Sequence, residues 1–398
     1  MNSVYVIGTC DTKGAELAYA VERVRAAGAR AVLVDISTAP SMVPADVSAE
    51  TVAAFHPRGR DAVLGLTDRG RAVTAMGEAL SAFLLSCTGI GAVLGLGGGG
   101  NTSMVTAAMR ALPIGVPKLM VSTMASGNVG AYVGPADIMM MHAVADIASL
   151  NAITRKVIGN AAHAASGMAL NAVPDVKDDK RPVGLTMFGV TTDCVTQIRR
   201  LIDDTCECFV FHATGTGGQC LEKLVDSGLL AAVLDITTTE VADYLCGGIL
   251  PCTEDRFGAV IRASVPYVGS VGAVDMVNFG SRDTVPAKYQ GRLLHVHNPQ
   301  VTLMRTMAEE NRAIGAWIVS RLNRMAGPVR FLLPLHGVSA IDAPGKPFHD
   351  TAADAALFEA IRGGWIAAPN RQLIDIDAHI NDEAFAAAAV AAFREISA

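Results

Sequence analysis

The feature that most restricts this chain is a repeated order of segments: an apolar run, a polar turn rich in glycine, then an amphipathic stretch. It is clearest at Ala92–Arg110, AVLGLGGGGNTSMVTAAMR, where Gly95–Gly100 holds five glycines in six residues. Short apolar runs such as VYVI and ARAVLVDI read as strands buried on both faces. Between them Leu17, Ala20, Val21 and Val24 recur at helical spacing, and Gly28 marks that helix's end. Strands alternating with helices in this way predict mainly parallel sheets covered by helices on both faces, a doubly wound Rossmann-like α/β/α fold.

The same grammar occurs in both halves. VYVIGTCDTKGAELAYAVERV parallels PVGLTMFGVTTDCVTQIRRLID, and GAVLGLGGGGNTSMVTAAMRALPIGVPKLMVST parallels CECFVFHATGTGGQCLEKLVDSGLLAAVLDITTTE. A chain of 398 residues is too long for one ordinary core. Two Rossmann-like domains are therefore expected, 1–178 and 183–398, joined by the charged, proline-flanked PDVKDDKRP. Further helices are predicted over Arg69–Ser86, over about 143–172 and over 382–397, with a loop-rich insert at 37–66. Asn298-Pro299 reads as a helix start. From it Leu303, Met304, Met307, Ile314, Trp317, Ile318 and Leu322 suggest one long helix ending before Gly327, its apolar stripe facing a core.

Composition narrows the function classes. The net charge is −6 with no basic block, so nothing favours nucleic acid as a partner. The longest apolar stretches are broken by glycine and polar residues, which excludes a bilayer span by this reading. The N-terminus, MNSVYVIGTCDT, has no targeting pattern, so the cytoplasm is expected. The eight cysteines are irregularly spaced and read as reduced thiols. Cys206-x-Cys208 is better read as buried thiols than as a metal pair.

The glycine loop half-matches two phosphate fingerprints. As G-x-x-x-x-G-K-[ST] it has Gly95, Gly100 and Thr102, but Asn101 stands in the lysine position. As G-x-G-x-x-G it has Gly95, Gly97 and Gly100. A dinucleotide site needs an acid at the end of the next strand, where this chain has Ser122-Thr123-Met124-Ala125. The context, strand before and helix after, still suits a nucleotide phosphate held by backbone N–H groups. The alternative is a packing turn that lets strand and helix approach closely.

GTCDTKGAE occupies the first strand-to-helix turn, at the same sheet edge if the strands share a sheet. Thr9, Asp11, Thr12 and Lys13 bring hydroxyls, a carboxylate and an ammonium into one turn. Lys13 is the candidate for the charge Asn101 lacks, and Asp11 is the candidate Mg²⁺ ligand, since that cation prefers oxygen. Equally, Asp11 or Thr12 serves as an N-cap. Asp35, ending the second strand, is the candidate for a ribose hydroxyl.

The second half offers Thr214, Gly215, Thr216, Gly217 and Gly218 as a second anion loop. Asp235 and Glu240 flank ITTT, and His295, His297, His336, Asp342, His349 and Asp350 gather in C-terminal segments. Loop histidines beside aspartates suit acid–base chemistry, although each alone is more often structural. His295-x-His297 on an extended segment also fits metal ligation. Lys13, His212, Glu240, His336 and Asp342 are the candidate catalytic residues.

Taken together, VYVIGTCDTKGAEL, GLGGGGNTS, FHATGTGGQCLEKL, DITTTEVAD, VGAVDMVNFG, HNPQVTLMRT and LPLHGVSAIDAPGKPFHD resemble the Tm-one-like ATP-binding family. These are bacterial relatives of the N-terminal part of a tomato mosaic virus resistance protein. The resemblance covers nearly the whole chain. It implies two Rossmann-like subdomains, ATP and Mg²⁺ in the N-terminal one, and homodimers. In the plant protein the region binds a viral replication helicase domain and is fused to a barrel domain resembling phosphoenolpyruvate-using enzymes, so a separate barrel protein is an expected partner here. It also implies Thr9–Lys13, Gly97, Gly98, Gly99, Gly100, Asn101, Thr102, Ser122 and Thr123 as ATP-site positions. The family loop often has serine at Gly99 or Gly100, and this all-glycine version departs from it there.

The resulting expectation is an ATP-dependent enzyme that activates a small anionic metabolite in the cleft between domains. A nucleotide-gated protein-binding module without turnover, and an NAD-dependent oxidoreductase, are the alternatives.

Overall fold

A computed structural model describes residues 2–41, 43–174 and 179–397. The chain forms two compact units, Met1–Val176 and Lys177–Ala398. Of the expected linker PDVKDDKRP, residues 175–178 lie outside the described residues. Its C-terminal end is already strand, because Pro182 belongs to Arg181–Met187.

The first unit runs β1 (Ser3–Gly8), α1 (Cys10–Ala26), β2 (Arg30–Asp35), α2 (Ala49–Ala53), α3 (Asp61–Leu64), α4 (Arg69–Ser86), β3 (Ile90–Gly97), α5 (Gly99–Ala111), β4 (Lys118–Ser122), α6 (Gly130–Val133), β5 (Ile138–His142) and α7 (Ala152–Leu170). Its five strands pair in the order β2-β1-β3-β4-β5, all parallel. Successive residues of β1 face opposite sides. Val6 packs with Leu17, Leu94 and Ala161 under α1 and α7, and Ile7 with Met76, Val93 and Val105 under α4 and α5. That period-two alternation of apolar residues is what a sheet buried on both faces requires. The insert at 37–66 is loop-rich as expected, with two short helices, α2 and α3, within it. The helix expected from Ala143 starts only at Ala152, where Asn151 Oδ1 accepts from the N–H groups of Ile153 and Thr154.

The second unit runs β6 (Arg181–Met187), α8 (Thr192–Ile202), β7 (Cys206–His212), α9 (Thr216–Asp226), β8 (Ala232–Thr237), α10 (Thr239–Cys246), α11 (Gly258–Ala263), β9 (Tyr267–Gly272), β10 (Met276–Phe279), β11 (Leu294–Asn298), β12 (Val301–Arg305), α12 (Ala308–Leu322), β13 (Val329–Pro334), α13 (Thr351–Gly364), β14 (Arg371–Ile376) and α14 (Glu383–Ser397). The main sheet reads β7-β6-β8-β9-β13-β14, all parallel, the first unit's order with one strand added. A small antiparallel sheet, β10-β12-β11, accompanies it.

Two sequence expectations change here. Asn298-Pro299 does not start a helix but turns β11 into β12, with Asn298 Oδ1 accepting from Gln300 N–H. Leu303 and Met304 are ladder residues, and the helix begins at Ala308, where the Glu310 carboxylate accepts from Met307 N–H. Second, the two halves align one strand differently. The glycine loop follows β3, a central strand, whereas HATGTGG follows β7, the edge strand equivalent to β2.

Candidate functional site

In the order β2-β1-β3-β4-β5, the direction of winding reverses between β1 and β3. α1 leaves β1 toward one face of the sheet, and α5 leaves β3 toward the other. The two connections therefore diverge and leave a crevice beyond the strands' carboxyl ends, where ligands of such sheets bind. The crevice is a cavity of about 400 Å³ lined by Thr9, Asp11, Thr12, Lys13, Thr38, Arg69, Val73, Gly98, Gly99, Gly100, Asn101 and Met104. Two sequence segments some ninety residues apart, GTCDTK and GGGGN, thus form one wall.

The glycines are needed for approach. A Cβ on Gly97 falls 2.4 Å from Asn101 Cβ, and one on Gly95 lies 2.6 Å from Val105 Cγ1. Gly98, the residue before α5, has no side-chain cap, and Gly99 and Gly100 open the helix. Asn101 is not a lysine substitute. It is buried, and its amide donates to Thr9 Oγ1 at 3.1 Å and to Leu96 O at 3.1 Å. Thr9 is the residue before α1 and makes no capping bond there. Its hydroxyl instead meets Thr12 Oγ1 at 2.7 Å.

Several expected positions stand behind the wall. Thr102 Oγ1 bonds Gly98 O at 2.8 Å and Ser122 Oγ at 2.6 Å, and Ser122 in turn accepts from Met124 N–H. Thr123 packs its hydroxyl over Gly98. Asp35 is buried and does not face the cavity. Its Oδ1 accepts from the N–H groups of Cys10 (3.0 Å) and Ser37 (2.9 Å) and from the Ser37 hydroxyl, so that oxygen is committed to shaping the turn after β1. Burial, with Asp35 adding, pushes the Cys10 thiol up to about 12.

Charge is distributed differently from the sequence expectation. Lys13 interrupts α1 with φ −134° and ψ 23°, and its ammonium donates to Ile147 O at 2.5 Å. Arg69, at the first position of α4, lines the same cavity, and its guanidinium has no hydrogen bond or ion pair among the described residues. Asp11 is the one carboxylate in the lining. Sequence reasoning missed Arg69, Thr38, Val73 and Met104. The available signal for Arg69 was its place just after the N-cap Asp68, in a first turn with no acid.

In the second unit the Gly/Thr loop already has an anion of its own. Gly218 N–H donates to Glu240 Oε1 at 3.1 Å, and a Cβ on Gly218 meets that carboxylate at 2.2 Å. Gly217 sits against the His212 carbonyl, with its Cβ position 1.7 Å from that oxygen, while the side chains of His212 and Thr216 are exposed. Thr214 Oγ1 bonds the same carbonyl at 3.3 Å, and Gly215 adopts φ +78°. Glu240 is fully buried beside Arg256, which also meets Asp235 at 2.8 Å and Glu222 at 3.3 Å. Burial pushes Glu240 and Glu222 up to about 7 against the pull of Arg256. This placement makes Glu240 a core residue rather than an exposed catalyst.

A second buried cluster surrounds Arg305, which contacts Asp354 at 2.7 Å and Asp342 at 3.5 Å. Asp342, a candidate catalytic residue by sequence, is fully buried and accepts from Val338 N–H. The loop histidine His336 lies beside an aspartate, Asp377, whose Oδ1 it bonds at 2.7 Å, and with His349 and Asp354 it lines a cavity of about 280 Å³. Burial, reinforced by the Asp342 charge, pushes Asp275 to about 7 and Asp354 to about 8. Asp350 caps α13 through the N–H groups of Ala352 and Ala353. His295 packs edge-on to Phe348. Among the described residues no three His, Cys, Asp or Glu side chains gather as a metal site, and all eight cysteines are free. No helix among them is long and apolar enough to cross a membrane.

Comparison with known proteins gives consistent matches along the chain. The N-terminal domain model of an uncharacterised protein family (UPF0261) matches residues 2–174, and the C-terminal domain model of that family matches 180–397. A UPF0261 protein of Rhizobium meliloti is 56% identical over 397 residues, covering 100% of both chains. One from Clostridium tetani is 38% identical, covering 97% of this chain and 96% of its own. The ToMV resistance protein Tm-1 of Solanum lycopersicum is 41% identical over 99% of this chain, which spans 56% of the tomato protein.

Proposed function

The chain belongs to the UPF0261 family, and from that premise we propose that its first unit is a nucleotide site that takes ATP with Mg²⁺. The observation that carries this reading is one cavity lined by the turns after β1 and β3, at the reversal of winding. The N–H groups of Gly98–Asn101 open α5 toward the cavity, and the positive end of a helix favours phosphate. Two cationic side chains and several hydroxyls line the same space. Its volume lies within the ordinary range for a small-molecule cleft. Mg²⁺ usually takes one or two carboxylates and completes its shell with phosphate oxygens and water. The exposed Asp11 fits that need as a single carboxylate. A dinucleotide fits less well, because Asp35 is turned away to the Cys10 and Ser37 N–H groups.

One observation favours binding without turnover as a second reading. No histidine lines the cavity, and Asp11 is its only carboxylate, so a base for activating water is not evident there. Thermal stability measured with ATP and Mg²⁺, against NAD, tests the site. Stabilisation by ATP and not NAD is expected, and the reverse outcome removes the reading. Incubation with ATP, Mg²⁺ and a set of small carboxylates then separates the classes. ADP or AMP formation supports an activating enzyme, and intact ATP supports a nucleotide-gated binding protein.

A further inference from the structure

We infer that Arg69 is the residue through which this site reads a polyphosphate chain, and that the site selects its ligand by phosphate number. The inference rests on the nucleotide reading above and adds to it the ligand feature that is recognised. Arg69 opens an 18-residue helix whose first turn has no acid. A cation there faces the positive end of the helix dipole, an unfavourable placement that a bound anion relieves. Asp68 offsets part of it, but the Asp68 carboxylate is engaged as N-cap to Arg71 N–H at 2.8 Å.

The other cation of the site is not equally available. Lys13 spends its ammonium on the Ile147 carbonyl at 2.5 Å. Arg69 is exposed, lines the cavity, and its guanidinium carries no hydrogen bond or ion pair among the described residues. Guanidinium presents paired donors that match phosphate oxygens. The ribose-reading acid of a dinucleotide fold is withdrawn, since Asp35 Oδ1 already accepts three hydrogen bonds. Beside the apolar Val73 and Met104, the lining is glycine backbone, hydroxyls, the Asn101 amide and charge, and its donors and cations suit phosphate oxygens. A chain of phosphates extending from the α5 N-terminus toward Arg69 satisfies both.

Calorimetric titration of the full chain in Mg²⁺ buffer with ATP, ADP, AMP and inorganic tripolyphosphate tests this, in wild type, Arg69→Ala and Arg69→Lys. Affinity is expected to fall from ATP to AMP, with tripolyphosphate bound in the absence of any nucleoside. Arg69→Ala should weaken ATP and tripolyphosphate by about tenfold or more, the usual loss for a charged hydrogen bond, and leave AMP nearly unchanged. Arg69→Lys should recover part of the loss. Because Arg69 is exposed at an unfavourable helix end, its removal should not lower the thermal midpoint, as loss of a structural residue would. Equal ATP affinity in wild type and Arg69→Ala, or AMP bound as tightly as ATP, overturns the inference while leaving the nucleotide site standing. If wild type binds none of the four, the nucleotide reading falls and takes this inference with it.

Discussion

Asn101 Nδ2 donates to Thr9 Oγ1 at 3.1 Å, across 92 residues of sequence, and so fastens the turn after β1 to the start of the helix after β3. The same amide nitrogen donates to Leu96 O. Asn101 is therefore a strut that sets the width of the crevice, and its position in the lysine place of a P-loop pattern is coincidental. Thr9 in turn holds Thr12, so one hydroxyl–amide chain spans the floor of the cavity.

Asn101→Lys should accordingly destabilise the protein instead of restoring a phosphate lysine. The side chain is buried, and a lysine there must desolvate its ammonium or displace α5. The substitution also loses the Asn101 bond to Leu96 O, a cost of about 0.5–1.5 kcal/mol. Urea denaturation measures the loss, and ATP titration should show weaker binding. A variant as stable as wild type with improved ATP affinity would show that the P-loop reading had been right.

Gly97→Ala tests the close approach that the glycine run permits. Its Cβ falls 2.4 Å from Asn101 Cβ and 2.7 Å from Asn101 Nδ2. Neither atom is the free end of a flexible chain, so the strut must move. A fall in stability and loss of ATP binding are expected together. Gly100→Ala is the control, since its nearest neighbour is Val73 Cγ2 at 3.9 Å. It should keep its stability.

The fold class was legible because apolar period and glycine turns act locally: the strands Ser3–Gly8, Arg30–Asp35 and Ile90–Gly97 each announce themselves. The β11–β12 hairpin was not, because Leu303, Met304 and Met307 sit at helical spacing from α12 and Asn298-Pro299 suits a turn as well as a helix start. Tertiary pairing with β10 decides the matter, and no local signal carries it. In the site, the residues on the two turns were legible by chemistry. That Asp35 folds back onto Cys10, that Lys13 reaches Ile147 and that Arg69 arrives from α4 depend on packing between segments distant in sequence. The Gly/Thr loop after β7 misled for a related reason. A glycine turn looks the same whether it waits for an external anion or closes on a buried Glu240.

Stability should fall as pH rises from about 5 to 8. Glu222 and Glu240 stand near 7, Asp275 near 7 and Asp354 near 8, all raised chiefly by burial. In the unfolded chain such groups titrate near 4. Between those values the folded state holds more protons than the unfolded state, so unfolding free energy decreases with pH. The stabilisation is complete below the unfolded values and is lost as pH passes the folded ones. Glu240→Gln keeps an acceptor for Gly218 N–H without titrating, so it should flatten the decline. Thermal midpoints at pH 5.5 and 8.5 measure both effects, and a wild-type midpoint that rises over this range contradicts the assignment.

Arg256→Met addresses the same cluster from the opposite charge. The guanidinium is buried and contacts Asp235, Glu222 and Glu240. Tyr267 and Thr186 supply further hydrogen bonds to Asp235, at 3.0 Å and 2.7 Å, but no charge. Methionine has similar length and suits the apolar neighbours, so little volume is lost. What is lost is the cation, and removing one partner of a buried ion pair costs about 3–5 kcal/mol. The deficit should be largest at pH 8, where the carboxylates must ionise without it. It should shrink toward pH 5.5, where Glu222 and Glu240 hold protons. Urea denaturation at the two pH values gives the comparison directly. A deficit independent of pH would mean that Glu222 and Glu240 do not feel its charge.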